Sequence, residues 1–274
     1  MYKIKSNNTN IIISLISDIH YSKKLNKNTI PKLLNKLKNE KSDYICIPGD
    51  IIDESTDYDD YIDNFFKDLN QNYKVIICLG NHDLSSFQKS NQVYNDTKWY
   101  NNLKKYENIH ILNNEQFIDN NICFTGITPL FDKDNNYLDN TSNTINILNN
   151  MELKTKRYNI LLSHSPLTIL SDKSLYNNNF INKQNLILCG HMHNGLILPF
   201  MDKLYKSNRG LVGPKKTLFP KYAKGQLKIN NTDIIICKGI TKLAKHSNIL
   251  KPLNILFPLE VEKIEISNKK TLDN

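Results

Sequence analysis

Five short strings of this sequence bring most of its histidines together with carboxylates and amides. They are Asp18-Ile19-His20, Gly49-Asp50, Gly80-Asn81-His82-Asp83, Ser163-His164-Ser165-Pro166 and Gly190-His191-Met192-His193. Five of the seven histidines of the chain lie in these strings. Imidazole nitrogens and carboxylate oxygens are the ligands that borderline divalent cations accept in proteins. If the strings converge, they can hold a pair of such cations, which is the chemistry of a two-metal hydrolase.

Each string directly follows a short apolar run. The runs are Ile11 to Ser17, Tyr44 to Pro48, Lys74 to Leu79, Ile160 to Ser163 and Leu186 to Cys189. Short apolar runs that end at polar residues are typical of buried strands. Strands lying side by side in one sheet would bring all five strings to the same edge of that sheet. We therefore predict a metal centre at one sheet edge.

The order of the strings resembles the signature of the calcineurin-like metallophosphoesterase superfamily, which reads D-x-H, GD, GNH-D/E, H and GHxH. Every element is present without substitution, and the resemblance extends from about Ile11 to His193. One such string has little specificity, whereas all five in order form a specific signal. The resemblance implies an α/β fold, a four-layer α/β/β/α sandwich of two mixed β-sheets flanked by helices.

The resemblance also implies two groups of metal ligands that share Asp50. The first group is Asp18, His20 and His193, and the second is Asn81, His164 and His191. A shared carboxylate suits two neighbouring cations because it reduces their mutual repulsion. If the last string is extended, both of its histidine rings point the same way. The expected cofactors are two divalent ions, chosen among Mn, Fe, Zn and Co.

By resemblance, His82 is the catalytic residue, which stabilises the attacked phosphate or protonates the leaving oxygen. Asp83 is expected to be the acidic partner of that ring, behind the metal ligands. The predicted reaction is hydrolysis of a phosphodiester or pyrophosphate bond by attack of a metal-bridging hydroxide. Two alternatives remain open: a phosphomonoesterase or protein phosphatase, and a non-catalytic metal-binding scaffold on the same fold. No residue identifies the substrate-binding surface.

The C-terminal segment resembles a bacterial branch of the superfamily that includes UDP-diacylglucosamine pyrophosphatases and is often membrane- or wall-associated. The residues concerned are Pro220 to Gly225, Lys238-Gly239-Ile240, Pro258 and Glu260, while Asn194 stands where that branch has glycine. This resemblance implies a diester or pyrophosphate substrate.

We expect one domain over residues 1–274, with the metal motifs in 11–193 and a basic, loop-and-strand segment in 194–274. Apolar spacing predicts helices near 30–37, 61–69, 92–106 and 145–156. Further strands are predicted near 109–112, 116–118, 122–127, 227–229, 234–237 and 259–266. Alternating strands and helices indicate an α/β layered domain.

The formal net charge of +9 is unevenly distributed. Acids dominate between Asp50 and Asp68, where they suit the start of a helix. Bases dominate from Lys203 to Lys251. Solvated surface explains such a segment in a lysine-rich chain, and a rim that attracts a phosphate-bearing substrate or an anionic membrane is the functional alternative. A nuclease would also fit this basic segment, but the long partner domains of that branch of the superfamily are not seen in the sequence, so nucleic acid is not the expected partner.

The five cysteines lie inside apolar runs and form no Cys-x-x-Cys pair. They are interpreted as small core residues of a reducing compartment. No run approaches the roughly 20 apolar residues of a membrane span, and the run Ile11 to Ile16 is too short for a signal peptide. The expected location is the cytoplasm, with peripheral contact at the inner membrane surface.

Overall fold

The computed structural model describes residues 1–22, 28–53, 58–88, 98–128, 141–198, 201, 208–214, 217–241 and 257–268. The strands found there are β1 (Tyr2–Ser6), β2 (Ile11–Leu15), β3 (Tyr44–Pro48), β4 (Lys74–Cys78), β5 (Ile109–Ile111), β6 (Glu115–Asp119), β7 (Ile122–Ile127), β8 (Tyr158–Ser163), β9 (Leu186–Cys189), β10 (Gly225–Ile229), β11 (Thr232–Ile236) and β12 (Glu262–Asn268). The helices are α1 (Thr29–Glu40), α2 (Asp60–Asn72), α3 (Asn81–Gln88), α4 (Lys98–Leu103), α5 (Thr141–Asn149), α6 (Leu167–Leu170), α7 (Lys173–Tyr176) and α8 (Asn179–Asn182).

The strands of these described ranges form two six-stranded mixed sheets. The order of the first sheet is β1-β12-β2-β3-β4-β5, and the order of the second is β10-β11-β9-β8-β7-β6. In the first sheet only the β12/β2 pairing is antiparallel, and in the second sheet the outer strands β10 and β6 are antiparallel to their neighbours. The central strands β2, β3 and β4, and likewise β7, β8 and β9, are parallel, so their carboxyl ends share an edge.

Successive residues of a central strand face two different apolar layers, as β-pleating requires. Ile45 packs with α1, α2 and α4 on the outer face of the first sheet, in a cluster that includes Leu33 and Phe66. Its neighbour Cys46 lies between the two sheets, in the cluster that contains Phe124. This alternation explains why β3 is buried along its whole length.

A third apolar cluster lies between the outer face of the second sheet and helices α5 to α8. Leu161 and Ile187 of the sheet pack there against Leu148 and Phe180 of the helices. The three apolar clusters separate four layers, in the order helix, sheet, sheet, helix. The predicted α/β/β/α sandwich of two mixed sheets is confirmed.

The helices begin where local chemistry favours them. Pro31 lies in the first turn of α1, where its missing N–H leaves no hydrogen bond unmade. Asp59 caps α2 by accepting hydrogen bonds from the backbone N–H groups of Tyr61 and Ile62. The acids at the start of α2 therefore have a structural role. Glu54 and Asp57 of the same acidic stretch lie outside the described residues.

Two predicted helices differ from the structure. The helix expected near 145–156 instead spans Thr141–Asn149. The expected end was too late because apolar residues continue beyond the turn at Asn150, where the helix ends. Of the helix expected from Gln92 to Tyr106, the structure describes α4, and residues 92–97 lie outside the described part. Strand β1 and helices α3, α6, α7 and α8 are not predicted from the sequence. Among the described helices, none combines the length and the apolar character that a membrane span requires.

Candidate metal centre

All five strings lie where the carboxyl ends of the central strands of the two sheets face each other. Strands β2, β3 and β4 of the first sheet lead into the first three strings, and β8 and β9 of the second sheet lead into the last two. The expectation of a single sheet edge is therefore wrong. Apolar runs look alike in both sheets, so their periodicity does not reveal which sheet a strand joins.

The backbone of several predicted ligands adopts left-handed conformations. Asp18, His20, Asp50, His191 and His193 have φ values of 52°, 45°, 54°, 71° and 48°. Such values are uncommon for residues other than glycine and cluster at functional sites. They turn the chain sharply after β2, β3 and β9, the strands that lead into these three strings.

The first group of converging atoms comprises Asp18 Oδ1, His20 Nε2 and His193 Nε2. Asp18 Oδ1 lies 4.0 Å from the His20 nitrogen and 3.7 Å from the His193 nitrogen. These three side chains form a cluster in which the candidate ligand atoms lie within 4.8 Å of one another. Asp50 Oδ2 adjoins the group, 3.5 Å from His20 Nε2.

The second group is centred on His164 Nε2. Asp50 Oδ2, His191 Nδ1 and Asn81 Oδ1 each lie 3.1 Å from this nitrogen. Asp50 Oδ2 thus belongs to both groups. The other oxygen of Asp50 accepts a hydrogen bond from the backbone N–H of His82 at 2.8 Å, which fixes the orientation of the carboxylate.

Two glycines make the approach of the second and third strings possible. A Cβ on Gly80 would lie 2.2 Å from Asp50 Oδ1, and one on Gly49 would lie 2.5 Å from the backbone nitrogen of Gly80. Gly49 also has a φ of 78°, which other residues adopt at a cost. The two glycines therefore belong to the construction of the site.

Three of the histidine rings are oriented by partners on their far side. Nδ1 of His20 lies 3.0 Å from Asp53 Oδ1, Nδ1 of His164 donates to the carbonyl of Pro48 at 2.7 Å, and Nδ1 of His193 donates to the carbonyl of Thr241 at 2.6 Å. With Nδ1 engaged in this way, Nε2 presents its lone pair to the centre.

Burial and mutual attraction shift the protonation of these groups. Burial raises the pKa of the Asp50 carboxyl, but His164 and His82 outweigh it and hold that pKa well below its usual range. Burial opposes charge on His164 as well, yet Asp50 raises the pKa of this imidazole to about 9. Burial and the neighbouring His164 lower the pKa of His191 to about 3. Without a cation, the centre therefore balances its carboxylates with protonated histidine.

The donor set fits divalent metal ions. Each group combines carboxylate oxygen with imidazole nitrogen, and the second adds an amide oxygen. Ligands about 2.1 Å from one cation lie roughly 3 to 4 Å apart, which is the spacing of these atoms. The five cysteines are free and buried, and none belongs to a candidate metal cluster of the described residues. The atoms of Asp18, His20, Asp50, Asn81, His164, His191 and His193 are thus brought together as two groups sharing Asp50.

The last string is not extended, contrary to expectation. His193 begins a 3₁₀ turn that ends at Leu196, and His191 has a left-handed backbone. The rings of His191 and His193 accordingly enter different groups. His191 and His193 are two residues apart, and the tight turn between them keeps both rings near the centre.

His82 lies beside the first group, and its side chain is 27% exposed. Its ring meets the ring of His20 edge-on, with the centroids 4.5 Å apart. Burial lowers the pKa of His82, an effect that Asp50 and Asp53 oppose. This position leaves part of the ring accessible to a molecule that enters the centre.

The carboxylate next to the His82 ring is Asp53, so the expected pairing with Asp83 is wrong. Asp53 Oδ1 lies 3.6 Å from His82 Nδ1. The Asp83 oxygens instead accept hydrogen bonds from the backbone N–H groups of Gly80, Asp50, Ile51 and Ile52. Asp83 therefore joins the second string to the third through the backbone.

Sequence analysis missed Asp53 and Thr241. In the sequence Asp53 belongs to the acidic stretch, although its place three residues after Asp50 could have marked it. Thr241 carries no motif and is recognised only by its contacts with the first and last strings. Of the two histidines left aside, His110 of β5 in the first sheet stacks on Phe117 of β6 in the second sheet, with ring centroids 3.6 Å apart. His246 lies outside the described residues.

Comparisons with known proteins agree with this geometry. A family model described as calcineurin-like phosphoesterase matches residues 12–195. An uncharacterised metallophosphoesterase of Campylobacter jejuni, Cj0846, is 31% identical over 201 residues, which are 73% of this chain and 48% of that protein. The metallophosphoesterase F40B5.2 of Caenorhabditis elegans is 28% identical over 213 residues, 76% of this chain and 42% of that protein. The chain thus spans about half the length of the curated relatives it matches.

Two solved structures are similar to this chain. The protein TT1561 of Thermus thermophilus has 10% sequence identity and a TM-score of 0.49, with 83% of this chain and 89% of that chain covered. A dimetal phosphatase from Danio rerio has 11% identity and a TM-score of 0.47, with 84% and 87% covered.

Proposed function

This chain belongs to the calcineurin-like phosphoesterase family, and from that premise we propose that it hydrolyses a phosphodiester or pyrophosphate bond at a dinuclear metal centre. As a member of the family it is a metal-dependent phosphoesterase. The proposal adds the number of ions, the roles of the side chains and the type of bond.

One observation carries the dinuclear proposal: Oδ2 of Asp50 lies 3.5 Å from His20 Nε2 and 3.1 Å from His164 Nε2. It is the atom common to both groups. We assign Asp18, His20 and His193 to one ion, Asn81, His164 and His191 to the other, and Asp50 to both. When bound, two divalent ions supply acidification of water and neutralisation of charge on phosphate oxygens. Mn, Fe, Zn and Co suit the mixed nitrogen and oxygen donors.

His82 is proposed to act on the substrate rather than on a metal. Its exposed edge can donate a hydrogen bond to the phosphate or a proton to the leaving oxygen. Asp53 supports this role because its carboxylate faces Nδ1 and favours the protonated ring. A proton donor matters most when the leaving group is a basic alkoxide, as in alkyl esters of phosphate. Asp83 holds the backbone of the neighbouring strings in place.

Residues 1–274 are proposed to act as one domain. Strand β12, from the C-terminal segment, lies between β1 and β2 in the first sheet. Strands β10 and β11 complete the second sheet beside β9. The segment that follows the metal motifs therefore shares both sheets with them.

The location and the partners are also proposals. Free, buried cysteines agree with a reducing compartment such as the cytoplasm. For the basic segment 203–251 we propose an anionic partner, either the phosphate-bearing substrate or a membrane surface.

Hydrolysis of an aryl phosphodiester and of the matching aryl monoester tests this function. The metal-free protein is supplied with Mn, Fe, Zn or Co, and turnover is followed by release of the coloured phenol. We expect metal-dependent turnover that chelation abolishes, with the diester hydrolysed faster than the monoester. A faster monoester reaction would identify a phosphomonoesterase. Absence of turnover of these esters and of the pyrophosphates described below, with both ions bound, would identify a scaffold.

A nucleotide-linked and a lipid-linked pyrophosphate, assayed in the same way, then test the type of bond. Two ions for each chain are expected from elemental analysis of the active protein. A fully active protein with a single ion would contradict the dinuclear proposal.

A further inference from the structure

Two adjacent apolar side chains are unusually exposed. Of the described residues, only four large hydrophobic side chains are exposed: Met1, Ile118, Leu218 and Phe219. Leu218 is 72% exposed and Phe219 is 56% exposed. Single exposed apolar residues are ordinary, but a contiguous pair of this size needs an explanation.

The pair is displayed by a hydrogen-bonded hairpin, here called the Leu211–Phe219 hairpin. Val212 and Leu218 form an antiparallel bridge, and Gly213 N–H donates to Thr217 O at 2.8 Å. Phe219 N–H donates to Leu211 O at 2.9 Å. Phe219 also has a φ of 49°, a strained value for a bulky residue. Backbone hydrogen bonds thus hold these side chains away from the core.

The hairpin is attached to the rim of the metal centre. The backbone N–H groups of Leu211 and Val212 both donate to the carbonyl of Gly195, at 2.8 and 3.1 Å. Gly195 follows the proposed ligand His193 by two residues. It packs so closely on Gly210 that a Cβ would lie 2.3 Å from the Cα of Gly210. Whatever binds the hairpin is therefore linked through Gly195 to the turn that carries His193.

The hairpin lies in the most basic part of the chain. Between Lys203 and Thr232 the sequence has eight basic residues and no acid. Arg209 and Lys221, which flank the hairpin, are exposed. The hairpin thus combines two exposed apolar side chains with exposed cations that flank it in the sequence.

We propose that the Leu211–Phe219 hairpin docks on the surface of an anionic lipid bilayer. Leu218 and Phe219 enter the boundary between headgroups and acyl chains, while Arg209 and Lys221 contact anionic headgroups. Insertion of apolar side chains and attraction between opposite charges are each weak, but together they give stable, reversible binding to a membrane. A nucleic acid would use the cations and Phe219 but has no use for Leu218. This docking goes beyond the proposed catalysis and does not depend on it.

Flotation with vesicles tests the proposal on the metal-loaded full chain. The vesicles contain phosphatidylcholine alone or with roughly 30% phosphatidylglycerol, at about physiological salt. We expect binding to the anionic vesicles only. The variant L218S/F219S should bind about tenfold more weakly, since it loses the inserted apolar area.

Ile118→Ser is the matched control for the apolar pair. Ile118 is 40% exposed and lies on β6, paired with Cys123 at the start of β7, at the end of the second sheet opposite the metal centre. This variant should bind vesicles like the wild type. The melting temperature and metal content of both variants should also match the wild type, because the replaced side chains are on the surface.

A second pair of variants tests the charges. R209A/K221A should bind anionic vesicles more weakly, whereas K32A/K36A, which removes two exposed charges from α1, should not. Absence of vesicle binding, or equal binding by L218S/F219S, would overturn the proposal. So would a dimer, or a complex with single-stranded RNA, that depends on Leu218 and Phe219 while vesicles are ignored.

Discussion

The backbone of Thr241 binds His193: its carbonyl accepts the Nδ1 hydrogen of that ring at 2.6 Å. The N–H of Thr241 donates to the carbonyl of Asp18 at 2.9 Å, and its hydroxyl donates to the carbonyl of Ile19 at 2.8 Å. Thr241, which follows β11 in the chain, therefore holds the first and the last string of the metal centre together. Groups that orient metal ligands in this way affect metal affinity without contacting the ion.

Replacing Thr241 by valine should weaken metal binding. Valine keeps the size of the side chain but leaves the carbonyl of Ile19 without its donor, which loosens the turn between Asp18 and His20. We expect the dissociation constant for Mn to rise about tenfold, measured by competition with a chelating dye. Thr241→Ser retains the hydroxyl and should bind Mn like the wild type. Equal affinity in the valine variant would show that the hydroxyl has no part in orienting the site.

Asp53→Asn should slow turnover and change its pH dependence. The variant removes a charge that favours protonated His82 and a partner that orients His20. Because Asp53 raises the pKa of His82, its loss lowers that pKa. His82 should then lose its proton at a lower pH than in the wild type. The alkaline limb of the kcat profile should therefore move to lower pH. We also expect kcat to fall about tenfold to a hundredfold.

The pH profile distinguishes this role from a purely structural one. Asp68→Asn, which changes an exposed carboxylate paired with Lys38, serves as the control and should leave the profile unchanged. A D53N protein with lower kcat but an unmoved alkaline limb would contradict the proposed action of Asp53 on His82.

His82→Ala and Asp50→Ala should fail in different ways. Without His82, both ions remain bound but turnover falls by about a hundredfold or more, since proton donation is lost. Without Asp50, the atom shared by the two groups is gone and metal is released. Elemental analysis beside kcat separates the two outcomes. Full-speed turnover by H82A with both ions bound would refute the role of His82.

Gly80→Ala should release metal although no ligand is changed. The added methyl group would overlap Asp50 Oδ1, so the carboxylate must move out of both groups. We expect at least about tenfold weaker Mn binding. Gly225→Ala is a suitable control: its φ of 80° makes alanine strained there, but the nearest atom to the new Cβ is 3.6 Å away and lies in Asn208. That variant should lose thermal stability and keep its metal.

Metal binding to the metal-free protein should release protons and strengthen as the pH rises. Asp50 raises the pKa of His164 to about 9 against the effect of burial, so this ring is protonated at pH 7. A metal requires the neutral ring, and the proton of His164 must leave. His191, with a pKa of about 3, is already neutral and releases none. Calorimetry in buffers of different ionisation enthalpy measures the release, and a binding enthalpy independent of the buffer would contradict it.

The five strings and their apolar runs predicted which residues come together at the centre, and the resemblance that these strings carry implied the four-layer fold. This was possible because a buried strand needs a continuous apolar run and a metal ligand needs one of a few side-chain types, and both are visible locally. The prediction of Asp50 as the shared residue agrees with the position of its Oδ2 between the two groups.

Only the tertiary structure decided how the strings are held. Four features depend on distances between residues far apart in the chain. They are the division of the strings between two sheets, the pairing of His82 with Asp53, the backbone role of Asp83 and the contacts of Thr241. A carboxylate or a carbonyl has the same identity whichever neighbour it faces, so its partner follows from packing. Local pattern therefore predicted the candidate ligands, while the surrounding contacts that orient them were set by the assembly of the two sheets.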